Sequence, residues 1–348
     1  MRFCMKQHER DYFVSRIRNG KYRIQIFKKE LEILSPTIED EYYINKAYMD
    51  GMESSLYEGF KTNEEMVSWM VEKNLWSYNE DADLKMYQQK VKDLKIDIYN
   101  ARNSIKLRER VRSEIRNTEF QVSKLNQKKS AYYNNTCEGI ATVEKISEFL
   151  KRCTFFKGEL YDFEELPVDL VSSKYYSLFL TEQQIRELAR NEPWRTIWSL
   201  NDTNSVLLFN NGDRELSHDQ KNIMVWSKMY DNVQESMDCP QDDIIKDDDM
   251  LDGWFLVQGK KRDEERSKSE VDNLNPKVAG SQEVYLMANS KEDRRRIDSL
   301  NSFESSVIKK QREQVIKSKG SASQLDFPDE KLKAQRMQTE GMRNQFRR

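Results

Sequence analysis

The chain has 348 residues, with 58 Lys and Arg against 60 Asp and Glu, which gives a formal net charge of −2. Charged residues make up 34% of the sequence and hydrophobic residues 37%, so long stretches are predicted to be extended helices or tails rather than parts of a packed core. With only 11 Gly and 6 Pro, the composition disfavours β-sandwiches, propellers and Gly-loop enzymes and favours helices.

Membrane proteins, secreted proteins and zinc-binding proteins are disfavoured, because the sequence lacks the features that each class requires. The sequence has no run of about 18 apolar residues, and residues 1–10 lack the apolar region of a secretory signal. The cysteines are scattered without a CxxC spacing, which indicates free thiols in a reducing compartment, and Cys137 and Cys153 are expected to be inert. Neither His8 nor His218 lies near a Cys or carboxylate at ligand spacing, so we expect no zinc site and no His-based triad.

The first predicted element is a small β-hairpin. Apolar and polar residues alternate over residues 22–26, and the apolar pair Leu31 and Ile33 follows a charged turn. Two short strands are therefore the preferred interpretation. The alternative is one amphipathic helix from Asp11 onward, broken at Asn19-Gly20.

Helices are predicted to follow the hairpin. There is no proline between Pro36 and Pro167, which leaves a long stretch open to helix formation. Four helix starts are predicted from their capping residues: Thr37 with Asp40, Thr62 with Glu65, Thr181 with Gln184, and Ser217 with Gln220.

The longest periodic segment covers residues 84–127. Its apolar residues step by three and four and its opposite face is charged, which is typical of a coiled coil or a long helical hairpin. An unbroken helix would be roughly 65 Å long, and a turn near residues 100–104 would halve it; both alternatives stay open. The residues of the first stripe, which we expect to contact another macromolecule, are Leu84, Val91, Leu94, Ile98 and Ile105.

Residues 136–258 are predicted to form a helical, aromatic-rich body. One helix is expected over residues 140–150, residues 155–163 are predicted to be loop-like, and residues 206–209 a strand or buried loop. Trp194 and Trp198 lie four residues apart on a predicted helix. This spacing favours a pair of core anchors over a platform for stacking nucleic-acid bases.

The sharpest local feature is an acidic run that contains Asp247, Asp248 and Asp249. Residues 231–252 hold nine Asp and Glu against one Lys, a local net charge of −8. An EF-hand is rejected, because Met250 and Gly259 would fall on ligand positions of its loop. We expect the run to cap a helix beginning near Met250, or to form a solvated acidic loop that docks on a basic partner. A metal-dependent enzyme is the weakest of the hypotheses.

Residues 259–348 are predicted to be a charged tail, largely extended or helical. They hold 21 Lys and Arg against 15 Asp and Glu, a net charge of +6, and one helix is expected over residues 292–317. Two basic runs, at residues 260–262 and 294–296, suggest a nucleic-acid contact. Acidic residues interleave with both runs, so a solvated helix face is favoured over phosphate binding.

The predicted fold class is mainly α. It comprises an N-terminal β-hairpin plus helix (residues 1–60), a long helical, coiled-coil-like segment (61–135), a helical body with an acidic end (136–258) and the charged tail (259–348). We expect no catalytic residue, no cofactor and no metal site. A membrane is not an expected partner, whereas self-association through the helical segment 61–135 is a candidate.

These features resemble structural and assembly proteins of tailed bacteriophages. The chain is rich in Lys, Asn and Tyr, and its hairpin leads into Pro36-Thr37-Ile38-Glu39-Asp40, which is similar to the start of some tail assembly chaperones. The resemblance implies a non-enzymatic assembly factor that transiently binds other phage proteins, above all the long helical tape-measure protein, in the host cytoplasm. A virion structural protein is the first alternative, and a nucleic-acid-associated protein that uses the basic runs is the second.

Overall fold

The N-terminal part of the chain consists of a helix, a β-hairpin and a second helix. The computed structural model describes residues 5–201, 208–274, 317 and 320. The first elements are α1 (Gln7–Asn19), β1 (Lys21–Ile26), β2 (Lys29–Leu34) and α2 (Ile38–Tyr57). The alternating apolar residues of both strands are buried, which confirms the predicted hairpin. The helix considered as the alternative, broken at Asn19-Gly20, corresponds to α1, which precedes the hairpin. Its C-cap is Gly20, whose φ of +64° is the left-handed conformation that suits glycine.

Two further short strands extend the sheet. Strands β3 (Thr154–Phe156) and β4 (Glu159–Leu160) complete an antiparallel sheet of order β1-β2-β3-β4, with Leu31 opposite Phe156. The prediction that residues 155–163 are loop-like is therefore wrong for these strands. The edge of β2, on which β3 pairs, comes from much earlier in the chain and leaves no local signal.

The rest of the described chain is helical. Twelve α-helices lie within the described residues, and the predicted mainly α fold with a small sheet is confirmed. Those after α2 are α3 (Asn63–Glu72), α4 (Tyr78–Asn100), α5 (Ile105–Lys129), α6 (Cys137–Cys153), α7 (Val168–Ser177), α8 (Glu182–Arg190), α9 (Trp194–Asn201), α10 (His218–Glu235), α11 (Asp242–Ile245) and α12 (Asp248–Leu274). The predicted capping boxes begin α2, α3, α8 and α10.

Helices α4 and α5 form an antiparallel hairpin. The turn at residues 101–104 separates them, so the two alternatives for residues 84–127 resolve in favour of the hairpin. Near this turn the two helices share a buried apolar cluster of Leu94, Ile98, Val111 and Ile115. At the other end, Lys129 Nζ lies 2.6 Å from Asp81 Oδ1.

The main apolar core lies between the sheet and the helices packed on it. Leu31 and Ile33 of the sheet pack with Leu150 of α6 and Val171 of α7. Helix α2 packs along α6 at Gly51, where an added Cβ would be only 3.1 Å from the Cα of Ala141. A side chain at this position would require the two helices to shift by a few tenths of an ångström.

Elsewhere the predicted core anchors are buried. Trp194 and Trp198 are both buried, and their indole N–H groups donate to Ser227 Oγ at 2.7 Å and Asp231 Oδ2 at 2.6 Å. This arrangement agrees with a core role rather than a stacking platform. Leu208 and residue 209 are buried as well, while residues 206 and 207 lie outside the described residues.

The chain divides into two compact units, residues 1–254 and 255–348. In the second unit, residues 255–274 continue α12, and the predicted helix over 292–317 and the basic run at 294–296 lie outside the described residues, residue 317 excepted. Across the described ranges, no helix is both long enough and apolar enough to cross a bilayer.

Candidate protein-contact site

The acidic run marks the beginning of α12. The helix starts at Asp248, and the backbone N–H of Met250 donates to Asp247 Oδ1 at 3.4 Å. The prediction that the run caps a helix beginning near Met250 is confirmed. The Asp247 side chain is only 4% exposed, so the run is not a fully solvated loop.

Arginines from two other helices surround the run. Arg112 of α5 donates to Asp249 Oδ2 at 3.0 Å and also forms an ion pair with Asp247. Arg190 of α8 donates to Asp248 Oδ1 at 2.6 Å. The acidic run therefore finds basic partners within its own chain.

Asp252 extends this charge cluster by one helical turn. Its carboxylate accepts from Arg186 Nη1 at 2.7 Å and from Lys95 Nζ at 2.8 Å. The Arg186 guanidinium also lies 3.9 Å from the ring centroid of Trp226, a cation–π contact. A Cβ on the neighbouring Gly253 would lie 2.0 Å from the Lys95 carbonyl oxygen, so α12 can approach α4 here only because position 253 is glycine.

The electrostatics of the cluster follow from its burial. Burial raises the pKa of Asp248, and the neighbouring Arg190 opposes that shift. Burial would lower the pKa of Lys95, but the attraction of Asp252 outweighs it and the pKa is raised. Such paired charges tie α4, α5 and α8 to the start of α12. Among the described residues, no group of three or more His, Cys, Asp or Glu side chains is arranged to hold a metal ion.

Two of the cysteines are buried inside the fold. Cys137 and Cys153 are buried free cysteines, while Cys239 is exposed. Burial raises the pKa of Cys153 to about 12, which disfavours the reactive thiolate. This agrees with the expectation that Cys153 is inert.

The stripe expected to contact another macromolecule is divided between the interior and the surface. Leu84, Leu94 and Ile98 are buried, and α5 covers the last two of them. Val91 is half-buried, and Ile105, at the first position of α5, is 70% exposed. Most of this stripe is therefore used inside the hairpin.

A second stripe with the same spacing lies exposed on α2. Its positions are separated by four, three, four, three and four residues, the spacing of a coiled-coil seam. We call it the α2 stripe: Ile38, Tyr42, Asn45, Met49, Met52 and Leu56. Ile38 is 80% exposed, Tyr42 65% and Met49 66%, whereas Met52 is half-buried.

The sequence interpretation missed this surface although the signal was present. The periodic pattern over residues 84–127 is longer, and the α2 stripe is interrupted by the polar Asn45. Large apolar side chains aligned on an exposed helix face mark a contact surface rather than a core face. The α2 stripe is therefore the candidate site.

Comparisons with protein-family models, with curated proteins and with solved structures found no match to this chain.

Proposed function

We propose that this protein is a non-enzymatic assembly factor of a tailed bacteriophage, similar in role to the tail assembly chaperones, and that it acts through protein–protein contacts in the host cytoplasm. The observation that carries the proposal is the α2 stripe. Burying apolar surface contributes about 25 cal/mol per Å², so a row of exposed apolar side chains gains most from covering by another helix.

The kind of partner follows from the geometry of this surface. A helix is recognised through side chains at intervals of three and four residues, which is the spacing of the α2 stripe. A long helical protein such as the tape-measure protein has apolar stripes that aggregate unless they are covered. The charged segment 259–348, with a net charge of +6, would help to keep such a complex in solution.

Co-expression with the tape-measure protein encoded in the same phage genome tests the proposal. We expect the tape-measure protein to stay in the soluble fraction and to copurify with the wild-type chain. A variant with Tyr42→Glu and Met49→Glu should lose both effects, because it places charges in the contact surface. Tyr57→Glu is the matched control, since Tyr57 is on the same helix, 94% exposed and outside the stripe.

Three outcomes would contradict the proposal. An insoluble tape-measure protein despite co-expression would remove the chaperone-like role. Recovery of the chain as a regular component of purified virions, rather than only from infected cells, would make it a virion structural protein. Submicromolar binding to DNA or RNA that weakens steeply with salt would instead favour the nucleic-acid hypothesis.

A further inference from the structure

We propose that the α2 stripe pairs with the α2 stripe of a second copy of this chain, in parallel and in register, as a short two-stranded coiled coil. The inference rests on the proposed function only in treating the stripe as a protein-contact surface. It adds a first partner, the chain itself, which the tape-measure protein would have to displace because both use the α2 stripe.

The length and position of the stripe suit such a pairing. From Ile38 to Leu56 the helix rises about 28 Å, which is more than two heptads. The residues that α2 buries within its own chain are Ile44, Gly51 and Ser55. At about 100° per residue, Met49 lies about 140° around the helix from Ile44, so the stripe and the buried face are distinct.

Asn45 specifies the direction of the pair. In a parallel, in-register pair the two Asn45 side chains meet and can hydrogen-bond to each other. In an antiparallel pair, positions of the Ile38 type face positions of the Tyr42 type. Asn45 would then face an apolar side chain and leave its amide unsatisfied.

Charges beside the stripe complement each other in the parallel arrangement. Glu41 immediately precedes a stripe residue and Lys46 immediately follows one, so Glu41 of one copy faces Lys46 of the other. Glu41 also lies against Glu215 of its own chain; this hydrogen-bonded contact raises the pKa of Glu41. Lys221 of the same chain already lies 3.0 Å from Glu215, and a cation from the second copy would add to it at Glu41.

The next pair along the helix repeats this complementarity. Tyr48 occupies the flanking position one heptad after Glu41, and Lys145 Nζ of α6 lies 5.8 Å from its ring centroid. In the parallel pair Tyr48 faces Glu53 of the second copy, which is exposed, and Lys145 of α6 is the cation beside this tyrosine. The acidic and basic groups beside the stripe are therefore complementary between the two copies.

The oligomeric state of the full-length chain tests the inference. Sedimentation equilibrium should show a monomer–dimer equilibrium, and the variant with Tyr42→Glu and Met49→Glu should raise the dissociation constant at least about 100-fold, as expected for central contact residues. Tyr57→Glu should leave the dissociation constant unchanged. Circular dichroism of each variant checks that the fold is retained.

Disulfide cross-linking tests the direction. In a background with Cys4→Ser and Cys239→Ser, Ile38→Cys should form a covalent dimer on mild oxidation, because equivalent seam positions face each other in a parallel pair. An antiparallel pair would place the two thiols at opposite ends of the helices. Asp50→Cys, exposed on the same helix but outside the stripe, should not cross-link.

A chain that stays monomeric at every concentration, a dimer unaffected by the double substitution, or cross-linking at position 50 but not at 38 would overturn the inference. A monomer that still retains the tape-measure protein through the stripe would overturn this inference alone. A dimer that does not retain it would overturn the proposed function alone.

Discussion

The α4–α5 hairpin and helix α2 carry apolar stripes of the same spacing, but the hairpin stripe is mostly buried within the chain and the α2 stripe is mostly exposed. In the hairpin, Ile98 is fully buried because the turn at residues 101–104 returns α5 along α4. On α2, Met49 is 66% exposed because the helix contacts α6 with a different face. Spacing of three and four residues thus predicts that a helix face will be covered, while the path of the chain decides whether the cover comes from the same molecule.

The largest expected effect is on the α4–α5 hairpin, where Arg112 pairs with a buried carboxylate of the same chain. Arg112→Ala should lower the free energy of unfolding by about 3–5 kcal/mol, because the buried Asp247 loses its guanidinium partner. Denaturant unfolding at neutral pH measures this. Arg110→Ala is the matched control: Arg110 lies on the same helix with a 78% exposed side chain, and its loss should cost about 0.5 kcal/mol or less. Equal costs would show that the charge cluster does not anchor the hairpin.

A paired substitution compares the two stripes directly. Ile98→Ala should destabilise the fold by about 2–5 kcal/mol, since it leaves a cavity between α4 and α5. Met49→Ala should change stability by about 0.5 kcal/mol or less when unfolding is measured at protein concentrations too low for association. Similar losses at both positions would mean that the α2 stripe is covered within the monomer.

Alkaline pH should separate buried from exposed groups. Burial, and then the carboxylate of Asp219, raise the pKa of Tyr22 to about 12, compared with about 10 in an unfolded chain. The folded state therefore holds the proton more tightly, so this stabilisation is complete below about pH 10 and is lost as the pH rises to about 12. We expect Tyr22 alone to lower the free energy of unfolding by about 2 kcal/mol over that window.

Phenylalanine variants check the source of this pH dependence. Tyr22→Phe should remove about 2 kcal/mol of the stability loss between about pH 10 and 12, because the titrating hydroxyl is gone, while other buried groups such as Cys153 keep their share. Tyr57→Phe changes an exposed hydroxyl on α2 and should leave the pH profile unaltered. A profile that responds to the second variant but not to the first would contradict the assignment.

The smallest expected effect on folding is at Asn45. Asn45→Leu should change the stability of the monomer by about 0.5 kcal/mol or less, because the side chain is exposed. The same change should tighten self-association about tenfold or more and reduce the yield of the Ile38→Cys cross-link, since a polar seam residue gives register at the expense of affinity. Sedimentation and cross-linking measure the two effects, and weaker association would contradict the proposed seam.

Local features of the fold could be predicted from the sequence. The capping boxes at Thr62 and Thr181 involve residues three positions apart, and the alternation in β1 is visible within six residues. The turn between α4 and α5 could not be decided, because residues 100–104 contain neither Gly nor Pro.

The candidate site was only partly predictable for a related reason. The acidic run was recognised, but its partners Arg112 and Arg190 lie 135 and 58 residues away and give no local sign of the pairing. The α2 stripe has a local pattern, yet its exposure depends on which face of α2 packs on α6. Burial is a property of the assembled fold, whereas spacing belongs to the sequence.

Thiol reactivity measured against protein concentration tests the central contrast most directly. In a background with Cys4→Ser and Cys239→Ser, the thiol introduced by Ile98→Cys should be protected at every concentration, because α5 covers it within the monomer. The thiol introduced by Met49→Cys should react freely in dilute protein and become protected as the second copy binds. A position-49 thiol whose reactivity is independent of concentration, or a position-98 thiol protected only in concentrated protein, would contradict this account.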